Sequence, residues 1–192
     1  MMSLVMNGVS TTAERELNDF YATDPIAAEL LLQVEPDLKN IWECACGQGH
    51  LAKVFDKYGK LAKATDLINR GYGKQQDFLN DLTINFNPDY FWNGDIVTNP
   101  PYSEALEFCK KALNLVKEGS KVCMFLKLTF LESKERKLFF EVNPPLRIYV
   151  FSSRIICAKN ADFESYPSSA ICYAWFVWQK GYKGETVIKW IN

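Results

Sequence analysis

The stretch IWECACGQGHLAKVFDKYG, residues 41–59, decides the fold of this chain. It opens with a short apolar run, Ile41–Ala45, that suits a buried strand, and it ends in a helical pattern that Gly59 closes. Further apolar runs are typical of strands: KLAKATD (60–66), a short one in KQQDFL (74–79), DIVTN (95–99), KVCMFLKL (121–128) and LRIYVF (146–151). Helical patterns lie between most of them. This alternation predicts an α/β domain with a mainly parallel sheet and helices on both faces.

The end of the chain carries two more strand patterns, AICYAWFVWQK (170–180) and ETVIKWI (185–191). They predict a closing antiparallel pair joined through Gly181–Gly184. The length of 192 residues and the hydrophobic content of 48% suit one domain over residues 1–192. No apolar run approaches the roughly 20 residues of a membrane span, and the N-terminus lacks a signal-peptide pattern. Six cysteines without a regular framework indicate reduced thiols, so we expect a cytoplasmic protein.

Charge is distributed unevenly along the chain. The net charge of −1 does not by itself indicate a polyanionic partner. Residues 1–102 hold 8 Lys and Arg against 14 Asp and Glu, whereas residues 103–160 hold 11 against 6. The basic part is either a nucleic-acid footprint or a set of solvated helix faces.

Two glycines, Gly47 and Gly49, lie between the first strand and its helix, where a ligand can approach the backbone closely. No third glycine follows at the dinucleotide spacing, which disfavours a pyrophosphate-binding loop and a nicotinamide oxidoreductase. The neighbouring Cys44, Cys46 and His50 do not complete a zinc site, and no metal is expected.

Two acids follow at successive strand ends. Asp66 ends the second strand, where a carboxylate can accept both hydroxyls of a ribose. Asp77 precedes Phe78, a pair that can hold the amino group of an adenine while the ring packs on the base. Together with the glycine loop, they describe a nucleoside pocket without a phosphate site. This combination favours S-adenosylmethionine over NAD.

The sequence Asn99-Pro100-Pro101-Tyr102 follows the DIVT strand and can be neither strand nor helix interior, because proline fixes φ and lacks an amide proton. The Asn99 amide and the Pro100 carbonyl offer two acceptors for an exocyclic NH₂ group. The prolines hold these acceptors at little entropic cost, and Tyr102 offers a flat face for a planar group.

In these motifs the chain resembles S-adenosylmethionine-dependent amino-methyltransferases of the NPPY type, especially the small DNA adenine-N6 methyltransferases of phages and prophages. ECACGQGHL (43–51) is similar to the cofactor loop of that family, with Glu43 and Cys44 in place of its usual Asp and Pro. Three motifs are similar to the ribose, adenine and catalytic motifs: ATDL (64–67), QQDFL (75–79) and DIVTNPPY (95–102). NDFYATDP (18–25) resembles a motif that covers the cofactor, which makes residues 1–35 an N-terminal cofactor-covering segment.

The resemblance implies a Rossmann-like methyltransferase fold, with a mainly parallel seven-stranded sheet whose last strand is antiparallel. It implies S-adenosylmethionine as the cofactor and S-adenosylhomocysteine as the product. The implied cofactor-binding residues are Phe20, Tyr21, Thr23, Glu43, Ala45, Gly47, Gly49, Asp66, Leu67, Asp77, Phe78 and Asn99. The implied catalytic residues are Asn99, Pro100, Pro101 and Tyr102. Pro25 is expected to line the site, and Lys127 or Phe151 to lie near the target base.

The implied activity is methyl transfer to an exocyclic amino group, that of adenine N6 in DNA, with the base flipped out of the duplex. The same motif also occurs in methyltransferases of RNA and of a protein glutamine amide, and an inactive cofactor-binding module is a further alternative. The longest irregular insert, Cys157–Ala170, is too short for a target-recognition domain. Specificity is therefore low, or this loop reads the sequence, or a separate partner does. No membrane partner is expected.

Overall fold

The computed structural model describes residues 21–81, 90–159, 161, 163 and 170–192. Its strands are β1 (Tyr21–Thr23), β2 (Ile41–Glu43), β3 (Leu61–Asp66), β4 (Lys74–Gln75), β5 (Ile96–Thr98), β6 (Lys121–Lys127), β7 (Arg147–Phe151), β8 (Cys157–Lys159), β9 (Tyr173–Gln179) and β10 (Val187–Ile191). The helices are α1 (Ile26–Val34), α2 (His50–Lys57), α3 (Ala105–Leu115) and α4 (Lys134–Val142), with a 3₁₀ turn at Leu128–Leu131. Within these ranges, every helix is too short or too polar to cross a bilayer.

Eight strands form one sheet in the order β10-β7-β9-β6-β5-β2-β3-β4. Strand β9 runs antiparallel to both of its neighbours, and the other neighbouring pairs are parallel. The predicted α/β class and the mainly parallel Rossmann-like sheet are confirmed. The sheet differs from the prediction in having eight strands instead of seven, because β10 extends the edge beside β7 and runs parallel to it.

The predicted pairing of the last two strands is wrong. Strand β9 lies between β6 and β7, so β7 separates it from β10. The first six residues of β9 are all buried, which is typical of a strand covered on both faces, whereas β10 exposes most of its residues at the sheet edge. The antiparallel strand is therefore the last but one in the chain.

Helices cover both faces of the sheet, as predicted. Alternate residues of β5 show the division, because Ile96 belongs to the core beneath α3 and α4 whereas Val97 belongs to the core beneath α1 and α2. Each core is rich in aromatic side chains, with Trp42 and Phe176 on the first side and Trp175 on the second. The two cores fix the strand ends that carry the site.

A buried ion network lies at the amino ends of the parallel strands β6 and β7. Glu35 accepts from Lys121 Nζ, from Arg147 at 2.8 Å and from the Tyr149 hydroxyl at 2.7 Å. Lys121 Nζ also lies 2.7 Å from Asp37 Oδ1. Burial alone would raise the pKa of Glu35, but its hydrogen bonds outweigh burial and hold this pKa below its ordinary value. Lys121 and Arg147, two cations of the basic part of the chain, therefore stabilise the fold at the end of the strands opposite the predicted site.

A second, two-stranded sheet pairs β1 with β8 in antiparallel register. We call it the β1–β8 ribbon. Thr23 lies opposite Cys157, and the Asp24 amide donates to the Ile156 carbonyl at 3.0 Å. The chain turns a corner at Asn99–Tyr102, directly after β5. The ribbon lies beside this corner, because Thr23 is hydrogen-bonded to Asn99.

Candidate functional site

The glycine loop and the Asn99–Tyr102 corner lie side by side because β2 and β5 are neighbouring parallel strands. Their carboxyl ends are also joined by side chains, since Thr98 Oγ1 donates to Glu43 Oε1 at 2.6 Å. The ends of parallel strands are the usual place for a ligand in such a sheet. Two of the three predicted motifs thus share one edge.

Asn99 presents an acceptor that has no partner. Its Nδ2 donates to Thr23 Oγ1 at 2.7 Å, while its Oδ1 is buried without a hydrogen-bond partner among the described residues. A buried acceptor left unpaired costs about 1–3 kcal/mol, so such an atom in a native fold calls for a donor from outside the chain.

The two prolines shape the corner differently. The Pro101 carbonyl accepts from the Glu104 amide at 3.0 Å and leads the chain into α3. Pro100 is buried, and within the described part of the chain no backbone amide donates to its carbonyl. The predicted pair of acceptors, Asn99 Oδ1 and the Pro100 carbonyl, is therefore unoccupied by the protein's own donors in that part.

Tyr102 is held by two neighbours. The Lys127 ammonium lies 4.3 Å from the centre of its ring, and the Tyr173 ring stacks at 6.1 Å with an interplanar angle of 28°. The hydroxyl lies 3.8 Å from Cys157 Sγ. Burial, with the neighbouring Cys157 and Tyr173, raises the pKa of Tyr102 well above its ordinary value. The phenol is therefore neutral, and its ring plane is fixed.

The glycine loop adopts the left-handed conformation at both glycines, with φ of 53° at Gly47 and 82° at Gly49. The Gly47 amide donates to Asp66 Oδ2 at 2.7 Å, which ties the loop to the end of β3. A Cβ on Gly49 would lie 2.5 Å from the ring of Tyr72. The loop thus requires glycine for its conformation and for the close approach of this ring.

Tyr72 lies at the site but was not predicted from the sequence. It stands between Gly71 and Gly73, both in the left-handed region with φ of 84° and 70°. An aromatic residue between two glycines was the available signal that this segment approaches another part of the backbone. The structure shows that part to be the glycine loop, where Cys46 Sγ also lies 3.5 Å from the Tyr72 carbonyl.

Asp66 lies where the ribose motif predicts it, at the end of β3 beside the glycine loop. Its Oδ1 accepts from the Ile68 amide at 2.9 Å, and each of its oxygens keeps a second lone pair for a ligand hydroxyl. Leu67, the next residue, is 50% exposed.

Glu43 is a buried acid with one unsatisfied oxygen. Its exposed fraction is 1%, and its Oε2 has no hydrogen-bond partner in the described chain. Burial, together with the charge of Asp66, raises the pKa of Glu43 to about 8, against the hydrogen bond from Thr98 that lowers it. At neutral pH the side chain is mainly protonated, and a cation nearby would favour its ionised form.

Asp77 and Phe78 make contacts of a different kind. Asp77 Oδ1 accepts from the amides of Leu79 and Asn80, each at 3.0 Å, which is the pattern of a turn cap. The Phe78 ring is 2% exposed and packs between Trp42 and Phe108 at centroid distances of 5.4 and 5.0 Å. In this arrangement neither ring face of Phe78 is open to an adenine. Their assignment to the cofactor stays a prediction.

The N-terminal residues predicted to cover the cofactor are only partly placed. Phe20 lies outside the described residues. Tyr21 is 38% exposed on β1, and Thr23 is 3% exposed beside Asn99. Ala45 and Pro25 are half-buried. Of this group, Thr23 is the residue that directly contacts the corner.

A cavity of about 200 Å³ opens at the same edge of the sheet, lined by Leu128, Val150, Phe151, Ser152, Ser153, Arg154, Ile155, Cys172 and Tyr173. Tyr173 connects it to the ring of Tyr102. A larger cavity of about 450 Å³ lies along β3 between Lys63, Tyr72 and Trp92. The lining of neither cavity includes Asn99 or Pro100. The larger cavity reaches Tyr72, which contacts the glycine loop, and the smaller one reaches Tyr173, whose ring stacks on Tyr102.

The fold resembles solved methyltransferase structures at low sequence identity. A Listeria monocytogenes protein provisionally assigned as a class I S-adenosylmethionine-dependent methyltransferase matches with a TM-score of 0.55 and 13% identity, over 86% of this chain and 62% of that chain. A predicted O-methyltransferase from Agrobacterium tumefaciens matches with a TM-score of 0.57 and 12% identity, over 87% of this chain and 85% of that chain. The M protein of the type I restriction enzyme EcoKI matches with a TM-score of 0.53 and 10% identity, over 87% and 45%.

The chain therefore spans less than two thirds of the Listeria and EcoKI proteins that it resembles. No protein-family profile and no curated protein matches its sequence. At these identities the likeness concerns the fold alone, a Rossmann-like α/β fold shared with these methyltransferase structures.

Proposed function

We propose that this chain is an S-adenosylmethionine-dependent methyltransferase that acts on the exocyclic N6 amino group of adenine in DNA. The observation that carries the proposal is the buried, unpartnered Asn99 Oδ1 beside the Pro100 carbonyl. An NH₂ group has two N–H donors, and this corner holds two acceptors for them.

The residues at the strand ends fit the proposed cofactor. A nucleoside with a cationic amino acid tail needs acceptors for its hydroxyls, a negative group for its cation and backbone that it can approach closely. Asp66 supplies free lone pairs, Glu43 supplies an unsatisfied carboxyl oxygen, and Gly47 supplies backbone without a side chain. A ligand at Gly49 would take the place of the Tyr72 ring. S-adenosylmethionine supplies an electrophilic methyl group on a sulfonium when it is bound.

The role of the corner follows from its geometry. Hydrogen bonds from the amino group to Asn99 Oδ1 and to the Pro100 carbonyl fix its orientation and increase electron density on its nitrogen. Burial of the acceptor removes water that would compete for the same hydrogens. The ring of Tyr102 fixes the plane of the base. The base takes the position on this ring that the Lys127 ammonium now occupies.

Two observations support DNA as the substrate. The EcoKI M protein, part of a restriction enzyme, shares the fold. Two cations, Lys127 and Arg154, lie at the corner and its adjoining cavity, where a phosphate backbone would pass. A target base must leave the duplex to reach Asn99, and a separate partner that reads the sequence is part of the proposal.

One experiment tests the proposal against its alternatives. The purified protein is incubated with methyl-labelled S-adenosylmethionine and, separately, with unmethylated genomic DNA, unmodified RNA and protein extract, and digests are analysed by mass spectrometry. N6-methyladenine from DNA is the expected product. Label confined to RNA or to a glutamine amide would overturn the substrate, and cofactor binding without any transfer would identify an inactive binding module.

A further inference from the structure

The Asn99 amide must present the correct end to its substrate. Its oxygen accepts and its nitrogen donates, and a rotation of 180° exchanges the two within nearly the same shape. With the nitrogen turned to an incoming NH₂ group, two donors would face each other. A methyl transfer that depends on Asn99 Oδ1 therefore needs a second group that holds the amide in one orientation.

Thr23 makes the contact that can do this. Its Oγ1 accepts from Asn99 Nδ2 at 2.7 Å, and the residue is 3% exposed. A threonine hydroxyl could also donate to an amide oxygen, so the direction of its own proton decides the outcome. Its partner across the ribbon is Cys157, and directly opposite residues of an antiparallel pair carry their side chains on the same face, with Cβ atoms about 5 Å apart. With the proton directed to this sulfur, the oxygen lone pairs are left for Asn99 Nδ2.

The same thiol connects the two halves of the corner. The Tyr102 hydroxyl lies 3.8 Å from Cys157 Sγ. The amide that accepts the amino group and the ring that fixes its plane are thus both tied to the β1–β8 ribbon, the amide through Thr23 on β1 and the ring through Cys157 on β8.

We propose that Thr23, held by the β1–β8 ribbon, is a positioning residue that orients the Asn99 amide so that its oxygen faces the target amino group. The inference rests on the proposed methyltransferase function. It gives Thr23 a role toward Asn99 instead of the cofactor role that its motif implies.

The test compares Thr23→Val, which keeps the shape but removes the hydroxyl, with Thr23→Ser, which keeps the hydroxyl. Activity is measured on unmethylated genomic DNA, cofactor binding by calorimetry with S-adenosylmethionine, and folding by thermal melting. We expect Thr23→Val to lower kcat roughly ten- to a hundred-fold, the scale of a misplaced reacting group. KM for DNA and the Kd for S-adenosylmethionine should stay within about two-fold, and Thr23→Ser should retain near wild-type kcat. If Thr23→Val fails to fold, Thr23→Ala replaces it.

Repeating the test in an Asn99→Asp variant separates an effect on the orientation of residue 99 from an effect on packing. Asn99→Asp carries two equivalent acceptors, so there is no amide end to select. In the Asn99→Asp background, Thr23→Val should change kcat less than about three-fold, and a double-mutant cycle should show strong coupling. An equal loss in both backgrounds, or a loss that appears in the cofactor Kd, would overturn the inference. If the wild-type protein transfers no methyl group, the proposed function and this inference both fail. An inactive wild type distinguishes this outcome from a loss of activity confined to the variants.

Discussion

Glu43 gives the most direct thermodynamic prediction about the site. Its side chain is buried, and its pKa is raised from 4.5 to about 8, chiefly by burial. The folded protein therefore holds a proton on Glu43 that the unfolded chain releases above pH 4.5. Between these two values the folded state binds more protons, so the contribution of Glu43 to stability is present below about pH 4.5 and is lost as the pH rises to about 8.

The size of the effect follows from the width of this window. One pKa unit corresponds to about 1.4 kcal/mol, so the full window amounts to on the order of 5 kcal/mol. Glu43→Gln has the shape of the protonated acid and cannot ionise, and it keeps an oxygen for the hydrogen bond from Thr98. The variant should therefore match the wild type near pH 4.5 and exceed it by several kcal/mol at pH 8.

The assay is urea unfolding of both proteins, without cofactor, at pH 4.5, 6, 7 and 8. The quantity compared is the difference between the two unfolding free energies at each pH, because titration of other groups cancels in it. A difference that grows with pH is expected. A difference that is constant, or that shrinks as the pH rises, would show that Glu43 is ionised in the folded protein and would refute the reasoning.

Three further predictions concern the ion network, the glycine loop and the corner. Glu35→Ala removes the buried carboxylate that accepts from Lys121, Arg147 and Tyr149, and it should lower the unfolding free energy by about 3 kcal/mol. Asp37→Ala, whose side chain is 68% exposed, should cost below about 1 kcal/mol in the same urea titration. Gly49→Ala combines a φ of 82° with a Cβ 2.5 Å from a tyrosine ring and should weaken S-adenosylmethionine binding in calorimetry, whereas Gly59→Ala, with open space around it, should not. Tyr102→Ala should raise the KM for DNA about ten-fold or more, and Tyr102→Phe should stay within a few-fold, because the ring and not the hydroxyl stacks on the base. Equal effects of the paired variants in any of these comparisons would contradict the assigned contact.

The local features of the site could be read from the sequence because each depends on a few neighbouring residues. The glycine loop, the acid at the end of β3 and the proline corner all lie at strand ends, where their motifs predict them. The alternation of strands and helices also predicts that these ends share one edge. Local chemistry and the parallel sheet therefore account for most of the site.

Long-range features could not be read in this way. The order of β7, β9 and β10 depends on which apolar strand gains most from two covered faces, and all three have similar composition. The contact between Thr23 and Asn99 joins residues 76 positions apart. Phe78 follows an acid just as a cofactor ring would, but its packing against Trp42 and Phe108 depends on distant elements.

The charge pattern shows the same limit. The excess of Lys and Arg in residues 103–160 leaves open a nucleic-acid footprint or a set of solvated helix faces, whereas Lys121 and Arg147 pair with Glu35 at the amino ends of the strands. Lys127 and Arg154 lie at the corner and its cavity instead. The position of a cation in the sheet, and not the sum of charges, decides whether it can contact a substrate.

The most direct measurement of the central claim is the rate of methyl transfer to unmethylated DNA by the wild type and by Asn99→Ala, with Asn114→Ala, an exposed asparagine on α3, as the matched control. We expect N6-methyladenine with the wild type and the control, and a loss of at least about a hundred-fold in kcat for Asn99→Ala with S-adenosylmethionine binding retained. Transfer that survives in Asn99→Ala at the wild-type rate would contradict the account.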